Sequence, residues 1–369
     1  MTETTTGFHR ELARVRSHET DAMTDAPRSL TLVAERLVPQ RPNGWAAIYM
    51  HPTGLLSGHQ LPAALARAGF DTLCCGTRFL KNGTTLHMEQ VAFDVSSAVA
   101  HAYDVMGAER VALVGWSGGA SISAMAQAEA THPTVEALHG GARYELARAG
   151  LREADALVHV AGHRSRAHVL QEWLDPSVLD DDHPSVRDRD LYIYGEDAPE
   201  APFSEAFMRR YRGAQAERLE VLSRRALERS RRFGDRPFIM YGTAADPRFF
   251  DLALDPNGRR VGFGLGDAKT LNDAPSGMGR FTSCHSFLSQ WSPRHTRADG
   301  WSALARCEVP YLVLENGADD ACPREHVLGY AERGGVDAHV IEGANHFFSG
   351  QPELADRAAA AVDAFTRGI

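Results

Sequence analysis

The chain has 369 residues, of which 43% are hydrophobic and 24% are charged, and both fractions are ordinary for a globular protein. Its 39 Lys and Arg face 48 Asp and Glu, and the resulting net charge of −9 gives no general attraction to nucleic acid or to anionic lipid. We therefore expect neither nucleic acid nor a membrane as a partner, and a small molecule as the substrate.

The location of the protein is indicated by its apolar runs and its cysteines. No apolar run reaches the roughly 20 residues of a membrane span, and the N-terminus lacks the apolar segment of a secretory signal. The five cysteines include no CxxC pair, which predicts reduced thiols and a cytoplasmic protein. The sequence does not indicate the oligomeric state, so a homodimer is one of the alternatives.

The first 28 residues are polar and predict a tail, or a loose helix over residues 11–16. After them, apolar runs alternate with helical patterns. The predicted strands are 29–37, 45–50, 70–75, 111–114 and 156–161, and the predicted helices are 61–68, 86–106 and one that starts at 118. The strands are apolar throughout, which is typical of a parallel sheet with helices on both faces.

This alternation stops between residues 164 and 309, where the patterns are mostly helical. The segment holds a long helix over 204–233, a glycine-rich loop over 255–279 and a short helix over 281–291. Strands at 311–314 and 338–341 and helices at 324–333 and 352–365 then follow. We therefore predict an α/β core from residues 29–163 and 310–369, interrupted by a helical segment over 164–309.

The strand at 111–114 runs directly into Gly115-Trp116-Ser117-Gly118-Gly119, a GxSxG motif. A strand before this motif and a helix of small residues after it are what a nucleophile elbow requires. The pattern predicts Ser117 as the nucleophile and the amide of Gly118 as a donor to an oxyanion. The alternative is a glycine-rich turn between the strand and the helix in which Ser117 has no catalytic role.

A serine nucleophile needs a base, and the base needs an acid that orients it. Among 17 histidines, His346 stands in the loop between the last predicted strand and the last helix, where it can return to the strand ends. The strand at 311–314 leads to two adjacent aspartates, Asp319 and Asp320. Neighbouring side chains diverge, so only one of the two can face His346.

The order Ser117, Asp319 or Asp320, and His346, each after a strand, resembles the α/β-hydrolase superfamily over residues 29–161 and 309–369. The segment Asn-Gly-Ala-Asp-Asp-Ala-Cys-Pro at residues 316–323 also resembles that of largely uncharacterised bacterial members of this superfamily. The resemblance implies a mostly parallel central sheet flanked by helices, with the segment 164–309 inserted as a helical cap after the sixth strand.

The same resemblance bears on individual positions. The family's acid strand favours Asp319 as the triad acid, although Asn316 stands where the family usually has glycine, and an alignment on Gly317 would favour Asp320. We interpret the leftover aspartate, Asp320, as a helix N-cap before Pro323. The turn at 51–54 matches the position of the second oxyanion donor. Because Pro52 lacks an N–H, the resemblance points to the Thr53 amide and gives His51 a structural role.

Two features of the predicted cap are open to a functional and a structural interpretation. Its large apolar residues form either a substrate pocket or the core of the cap; they are Phe203, Phe207, Met208, Tyr211, Phe249, Phe250, Met278, Phe281, Phe287 and Trp291. Residues 208–233 hold nine arginines against three glutamates, a local charge of +9 − 3 = +6. That helix either attracts an anionic substrate or is a solvated face paired with acids such as those at 180–182.

No Walker loop is present, and the glycines at 262–266 make a poor dinucleotide motif, so we predict no cofactor. His159, His163 and His168 fit no familiar metal motif, so we predict no metal and interpret them as loop and pocket-edge residues. The sequence therefore predicts a serine hydrolase of a carboxylic ester or lactone with a small, largely apolar substrate. A thioesterase, a carbon–carbon bond hydrolase, an acyltransferase or a non-catalytic binder of this fold remains the alternative.

Overall fold

The computed structural model describes residues 7–20 and 27–369, and its centre is one sheet of eight strands in the order β1-β2-β4-β3-β5-β6-β9-β10. The strands of this sheet are β1 (Phe8–Thr20), β2 (Pro27–Pro39), β3 (Trp45–Met50), β4 (Asp71–Cys75), β5 (Arg110–Trp116), β6 (Ala156–Val160), β9 (Tyr311–Asn316) and β10 (Ala338–Ile341). β1 and β2 are antiparallel to their neighbours, and the other strands run parallel.

Five helices cover the two faces of the sheet, and a short sixth packs beside them. They are α1 (Gln60–Arg67), α2 (Met88–Asp104), α3 (Gly118–Thr131), α8 (Gly300–Leu304), α9 (Arg324–Gly334) and α10 (Pro352–Arg367). The apolar residues of α1 and α10 share one core cluster, whereas those of α2, α3 and α9 share the other. In β5, Val111 and Leu113 point to one cluster, and Ala112 and Val114 to the opposite one. Burial on both faces explains why the strands are apolar throughout.

The predicted fold class is confirmed, since the sheet is mostly parallel and helices flank it. The predicted core elements also form, with ends that differ by a few residues. The N-terminal prediction was wrong where the structure describes it: residues 8–20 form β1 rather than a tail or a helix, and the rest of the predicted tail at 1–6 and 21–26 lies outside the described residues. Over residues 8–17, where the structure describes the side chains of β1, Val15 and Ser17 are buried, Phe8 and Ala13 are partly buried and the others are exposed, so the apolar signal of β1 is weak.

In the segment between β6 and β9 the regular structure is mainly helical, but most of the residues lie in loops and turns rather than in helices. Before α8 the segment contains α4 (Arg166–Trp173), α5 (Glu205–Phe233), α6 (Ala268–Asp273) and α7 (Cys284–Gln290), with the short strands β7 (Pro237–Ile239) and β8 (Phe281–Ser283) paired antiparallel. The first part of the predicted helix over 281–291 is therefore a strand. Within the described ranges, no helix is both long enough and apolar enough to cross a membrane.

One buried histidine of the sheet predicts a loss of stability in acid. His159 of β6 is 1% exposed, its Nδ1 lies 2.8 Å from the Tyr311 hydroxyl, and burial lowers its pKa from 6.5 to about 3. Between these values the unfolded chain binds a proton that the folded chain does not, so this contribution to stability is complete above pH 6.5 and falls as the pH drops. Because of His159, we expect the free energy of unfolding to be about 2 kcal/mol lower at pH 5 than at pH 7.

Urea unfolding at pH 7, 6 and 5 measures this effect. In His159→Gln the loss between pH 7 and pH 5 should shrink by about that amount, whereas the exposed His132→Gln should keep the full loss. An equal acid loss in the wild type and in His159→Gln would contradict the prediction.

Candidate active site

The turn between β5 and α3 holds Ser117 in a strained conformation. Its φ of 53° and ψ of −121° lie where side chains are rarely tolerated. The turn closes only because its neighbours are glycines: a Cβ on Gly115 would lie 2.6 Å from the Gly119 carbonyl oxygen, and a Cβ on Gly119 would collide with the Met50 carbonyl oxygen. The GxSxG segment therefore has the geometry of a nucleophile elbow.

Ser117, His346 and Asp319 form one chain of hydrogen bonds. The Ser117 Oγ lies 3.1 Å from His346 Nε2, and His346 Nδ1 lies 2.8 Å from Asp319 Oδ2 and 3.0 Å from its Oδ1. All three residues are less than about a tenth exposed. Residues that are 229 and 27 positions apart along the chain are thus brought together in the order that proton transfer from a serine requires.

Two side chains hold the loop that carries His346. The indole N–H of Trp116 donates to the His346 carbonyl oxygen at 2.8 Å, and its ring lies 4.7 Å from the imidazole. The Asn316 amide donates to the Asn345 carbonyl oxygen, also at 2.8 Å. Asn316 therefore ties the end of β9 to the histidine loop, which gives the departure from the family's glycine a physical reason. Sequence reasoning assigned no role to Trp116, although it lies inside the motif.

The two candidate acids have different surroundings. The Asp319 carboxylate bonds His346, and its Oδ1 also accepts the amides of Ala321 and Cys322 at 2.9 and 2.8 Å. The Asp320 carboxyl instead has a buried Oδ1 with no hydrogen-bond partner, and burial, together with the nearby charge of Asp319, raises its pKa. Asp319 is thus the aspartate that the structure brings to His346.

The expectation that Asp320 caps the helix after Pro323 was wrong. The amide of Arg324, the first residue of α9, donates to Asp255 Oδ2 at 2.9 Å, so the acceptor comes from the inserted segment. Asp320 lies against Gly264 of the same segment, where a Cβ would collide with its carboxyl oxygen. A cap supplied from 69 residues away leaves no local sequence signal.

The predicted oxyanion donors lie at two backbone turns. Gly118 opens α3, where its amide has no acceptor within the helix, and a Cβ there would lie 3.2 Å from His51 Nε2. The Thr53 amide donates to His51 Nδ1 at 3.4 Å, a long hydrogen bond within its own turn, and Thr53 lines the cavity beside Ser117. Burial and the charge of Arg166 lower the pKa of His51 to about 3, so this ring is neutral near pH 7 and a weak base.

A cavity of about 630 Å³ opens beside Ser117 and His346. Its walls come from the core and from the inserted segment, which contributes α4 and residues 275–281, 290 and 291. Of the ten large apolar residues that the sequence analysis singled out, Met278, Phe281 and Trp291 line the cavity. The others do not; Tyr211, Phe249 and Phe287, for example, are buried in clusters of the insertion's own core.

The arginine-rich helix α5 contributes no residue to this cavity. Instead five of its nine arginines pair with carboxylates of the same segment. Arg218 and Arg225, for example, lie 2.7 Å from Asp181 and Asp182, and Arg212 lies 2.7 Å from Asp246. The structure therefore supports the interpretation of α5 as a face paired with acids. It does not support the interpretation of α5 as the site of an anionic substrate.

The three histidines near the end of β6 do not act as one group. His159 is buried in the sheet beside Tyr311, which differs from the loop position we predicted for it. His163 lines the cavity close to Gly118, and His168 Nδ1 lies 2.7 Å from the Ser165 hydroxyl. In residues 7–20 and 27–369, no set of three or more His, Cys, Asp or Glu side chains is arranged to hold a metal ion.

Sequence reasoning missed the polar residues that the inserted segment contributes to the cavity. Arg166 and Trp173 of α4 and Gln290 of α7 line it. The chain has 39 Lys and Arg, and no local pattern sets Arg166 apart from the others. Its place becomes visible only when α4 packs over the strand ends.

No protein-family description matches this chain, and no curated protein sequence matches it. Among solved structures, it is similar to the esterase domain of a Rhodothermus marinus protein, with 12% identity, 97% of this chain and 98% of that chain covered, and a TM-score of 0.47. For the siderophore hydrolase EstB from Aspergillus fumigatus the identity is 13%, the coverage 91% and 94%, and the TM-score 0.47. For a bromoperoxidase from Bacillus anthracis the identity is 14%, the coverage is 97% of this chain and 100% of that chain, and the TM-score is 0.44.

Proposed function

We propose that the chain is a serine hydrolase of the α/β-hydrolase type that cleaves a carboxylic ester or lactone. The observation that carries this proposal is the hydrogen-bonded chain Ser117–His346–Asp319 at the floor of a cavity. The strain at Ser117 adds to it, because a non-glycine residue at a φ of 53° is costly and is characteristic of functional turns.

In the proposed reaction, the Ser117 Oγ attacks the acyl carbonyl carbon while His346 Nε2 takes its proton. The Asp319 carboxylate keeps the imidazole in the tautomer that has its free lone pair toward Ser117, and it stabilises the imidazolium that forms. His346 then gives the proton to the leaving alcohol, and an acyl group remains on Ser117. Water that His346 deprotonates attacks this acyl-enzyme and releases the acid and the free serine.

The negative charge on the tetrahedral oxygen needs donors that are in place beforehand. In our proposal the Gly118 amide is one donor, because it is oriented by the start of α3 and is not used within the helix. The Thr53 amide is the second. Its present hydrogen bond to His51 is 3.4 Å long, which is weak enough to be exchanged for a charged oxygen.

Labelling with a fluorophosphonate tests this proposal and separates an enzyme from a binding protein of the same fold. The probe reacts only with an activated serine, so we expect one adduct per chain, on Ser117, found by mass spectrometry of the digested protein. Heat-denatured protein and the His346→Gln variant should stay unlabelled. A folded wild-type protein without an adduct on Ser117 would favour a non-catalytic binder.

A further inference from the structure

Arg166 is a largely buried arginine in the wall of the cavity, and none of the residues that the structure describes is an acidic partner for it. Its guanidinium lies over the Trp291 ring at 4.2 Å, and its Nη1 is buried without a hydrogen-bond partner. Two residues before it, Arg164 bonds both carboxylate oxygens of Asp299, at 3.0 and 2.6 Å. The described part of the chain thus supplies a counter-charge to Arg164 and none to Arg166.

The rest of the cavity has the same imbalance of charge. Over the ranges that the structure describes, no Asp or Glu lines it, whereas Lys81, Arg166 and Arg280 all do. The protein as a whole has nine more acidic than basic residues, so the basic lining of this cavity departs from the overall balance. An anion entering the cavity therefore meets positive charge and no opposing carboxylate.

Unused hydrogen-bond donors line the cavity along with these charges. The indole N–H of Trp173 and the Nη1 of Arg280 are both buried without an acceptor. Trp173 lies seven residues after Arg166 on α4, so both side chains project from the same face of that helix. Buried donors are nearly always satisfied in folded proteins, and an unpaired buried charge is costly. The wall of the cavity thus holds donors for which the described part of the protein provides no acceptor.

Arg166 keeps its charge at neutral pH. Burial lowers its pKa to about 9, which still leaves the guanidinium protonated at pH 7. Burial chiefly, and the charge of Arg166 in addition, lower the pKa of His51 and His163, the two rings nearest to Gly118. The positive charge is therefore close to the bond that Ser117 would attack.

We propose that the cavity selects esters that carry a carboxylate, which Arg166 receives as its missing partner. Resting on the proposed function, this names the substrate class of the same site: an apolar body against Met278, Phe281 and Trp291, with one anionic group. The planar guanidinium suits a carboxylate because two parallel N–H groups can bond its two oxygens. Selection for charge thus comes from one residue of α4 and not from the arginine-rich helix α5.

The experiment compares esters that differ only in this charge. One pair is mono-p-nitrophenyl glutarate and p-nitrophenyl pentanoate, with the carboxylate on the acyl part; a second pair places it on the alcohol part. The measured quantity is the preference, which is kcat/KM for the anionic ester divided by kcat/KM for the neutral one. In at least one pair, Arg166→Gln should lower this preference on the order of 100-fold, and Arg166→Lys should lower it less.

Three controls separate charge recognition from structural effects. Arg210→Gln removes an arginine of α5 that bonds Asp188 and Asp190 outside the cavity, and should leave the preference unchanged. The melting temperature of Arg166→Gln should equal or exceed that of the wild type, since an unpaired buried charge is removed. A structural role would lower it. In the Ser117→Ala background, glutarate should raise the melting temperature, glutaramide should not, and Arg166→Gln should abolish the rise.

An unchanged preference in both ester pairs of Arg166→Gln, with no stabilisation of Ser117→Ala by glutarate, would overturn the proposal. That result leaves the serine mechanism intact as long as Ser117→Ala is inactive. Conversely, undiminished hydrolysis by Ser117→Ala would overturn the proposed function, while the glutarate measurement would still decide whether Arg166 binds a carboxylate.

Discussion

Replacing Ser117 by Ala should reduce kcat for p-nitrophenyl butyrate by at least about 10⁴-fold. The hydroxyl is the only group of the elbow that can form an acyl-enzyme, and its removal leaves His346 without a nucleophile to activate. The loss should appear in kcat, because the cavity and the oxyanion donors still bind the ester. Steady-state kinetics with burst-phase analysis measures both the rate and the lost acyl-enzyme.

The variant should fold like the wild type. Alanine keeps the Cβ that the turn already accommodates at a φ of 53°, and only a hydroxyl facing the cavity is lost. Ser123→Ala is the matched control, since Ser123 is a buried serine of α3 outside the hydrogen-bonded chain. It should hydrolyse the ester at close to the wild-type rate. Turnover by Ser117→Ala that equals this control would remove Ser117 from the mechanism.

Replacing Asp319 by Asn should lower kcat about 10⁴-fold, because it changes the tautomer of His346. The Asp319 Oδ1 accepts hydrogen bonds from the backbone amides of Ala321 and Cys322. These two bonds determine the orientation of the side-chain amide of an asparagine at this position. The carbonyl oxygen must stay on those amides, so the NH₂ group takes the place of Oδ2, 2.8 Å from His346 Nδ1. His346 Nδ1 then has to accept a hydrogen bond from this NH₂ group, so the neutral imidazole carries its proton on Nε2. Ser117 thereby loses its base, because Nε2 no longer has a free lone pair.

Asp320→Asn is the matched control, with the same substitution one residue later. The Asp320 carboxyl is not hydrogen-bonded to the imidazole, so kcat should stay within about threefold of the wild type. NMR of the imidazole nitrogens provides a second measurement: the proton should move from Nδ1 to Nε2 in Asp319→Asn and stay on Nδ1 in Asp320→Asn. A larger loss of activity in Asp320→Asn than in Asp319→Asn would mean that Asp320, and not Asp319, is the acid that orients His346.

Much of the core follows from patterns that are local in the chain. The strands β3, β5, β6 and β9 are apolar because both of their faces are covered, so each is recognisable in isolation. The GxSxG segment is equally local, since the glycines and the serine that shape the turn are adjacent. In contrast, the side chains that the structure describes on β1 are mostly exposed, and the strand is held by its pairing with β2, so its sequence resembles that of a tail.

The sequence by itself therefore determined the fold class and brought the search for a nucleophile, a base and an acid down to four residues: Ser117, His346, Asp319 and Asp320. Only the tertiary structure decided which aspartate bonds His346 and why Asn316 is suited to the end of β9. It also showed that the cations lining the cavity include Arg166 and none of the arginines of α5. Backbone conformation follows from neighbouring residues, whereas hydrogen-bond partners and cavity walls come from segments tens to hundreds of residues apart. Their relative positions are fixed only when the whole core packs.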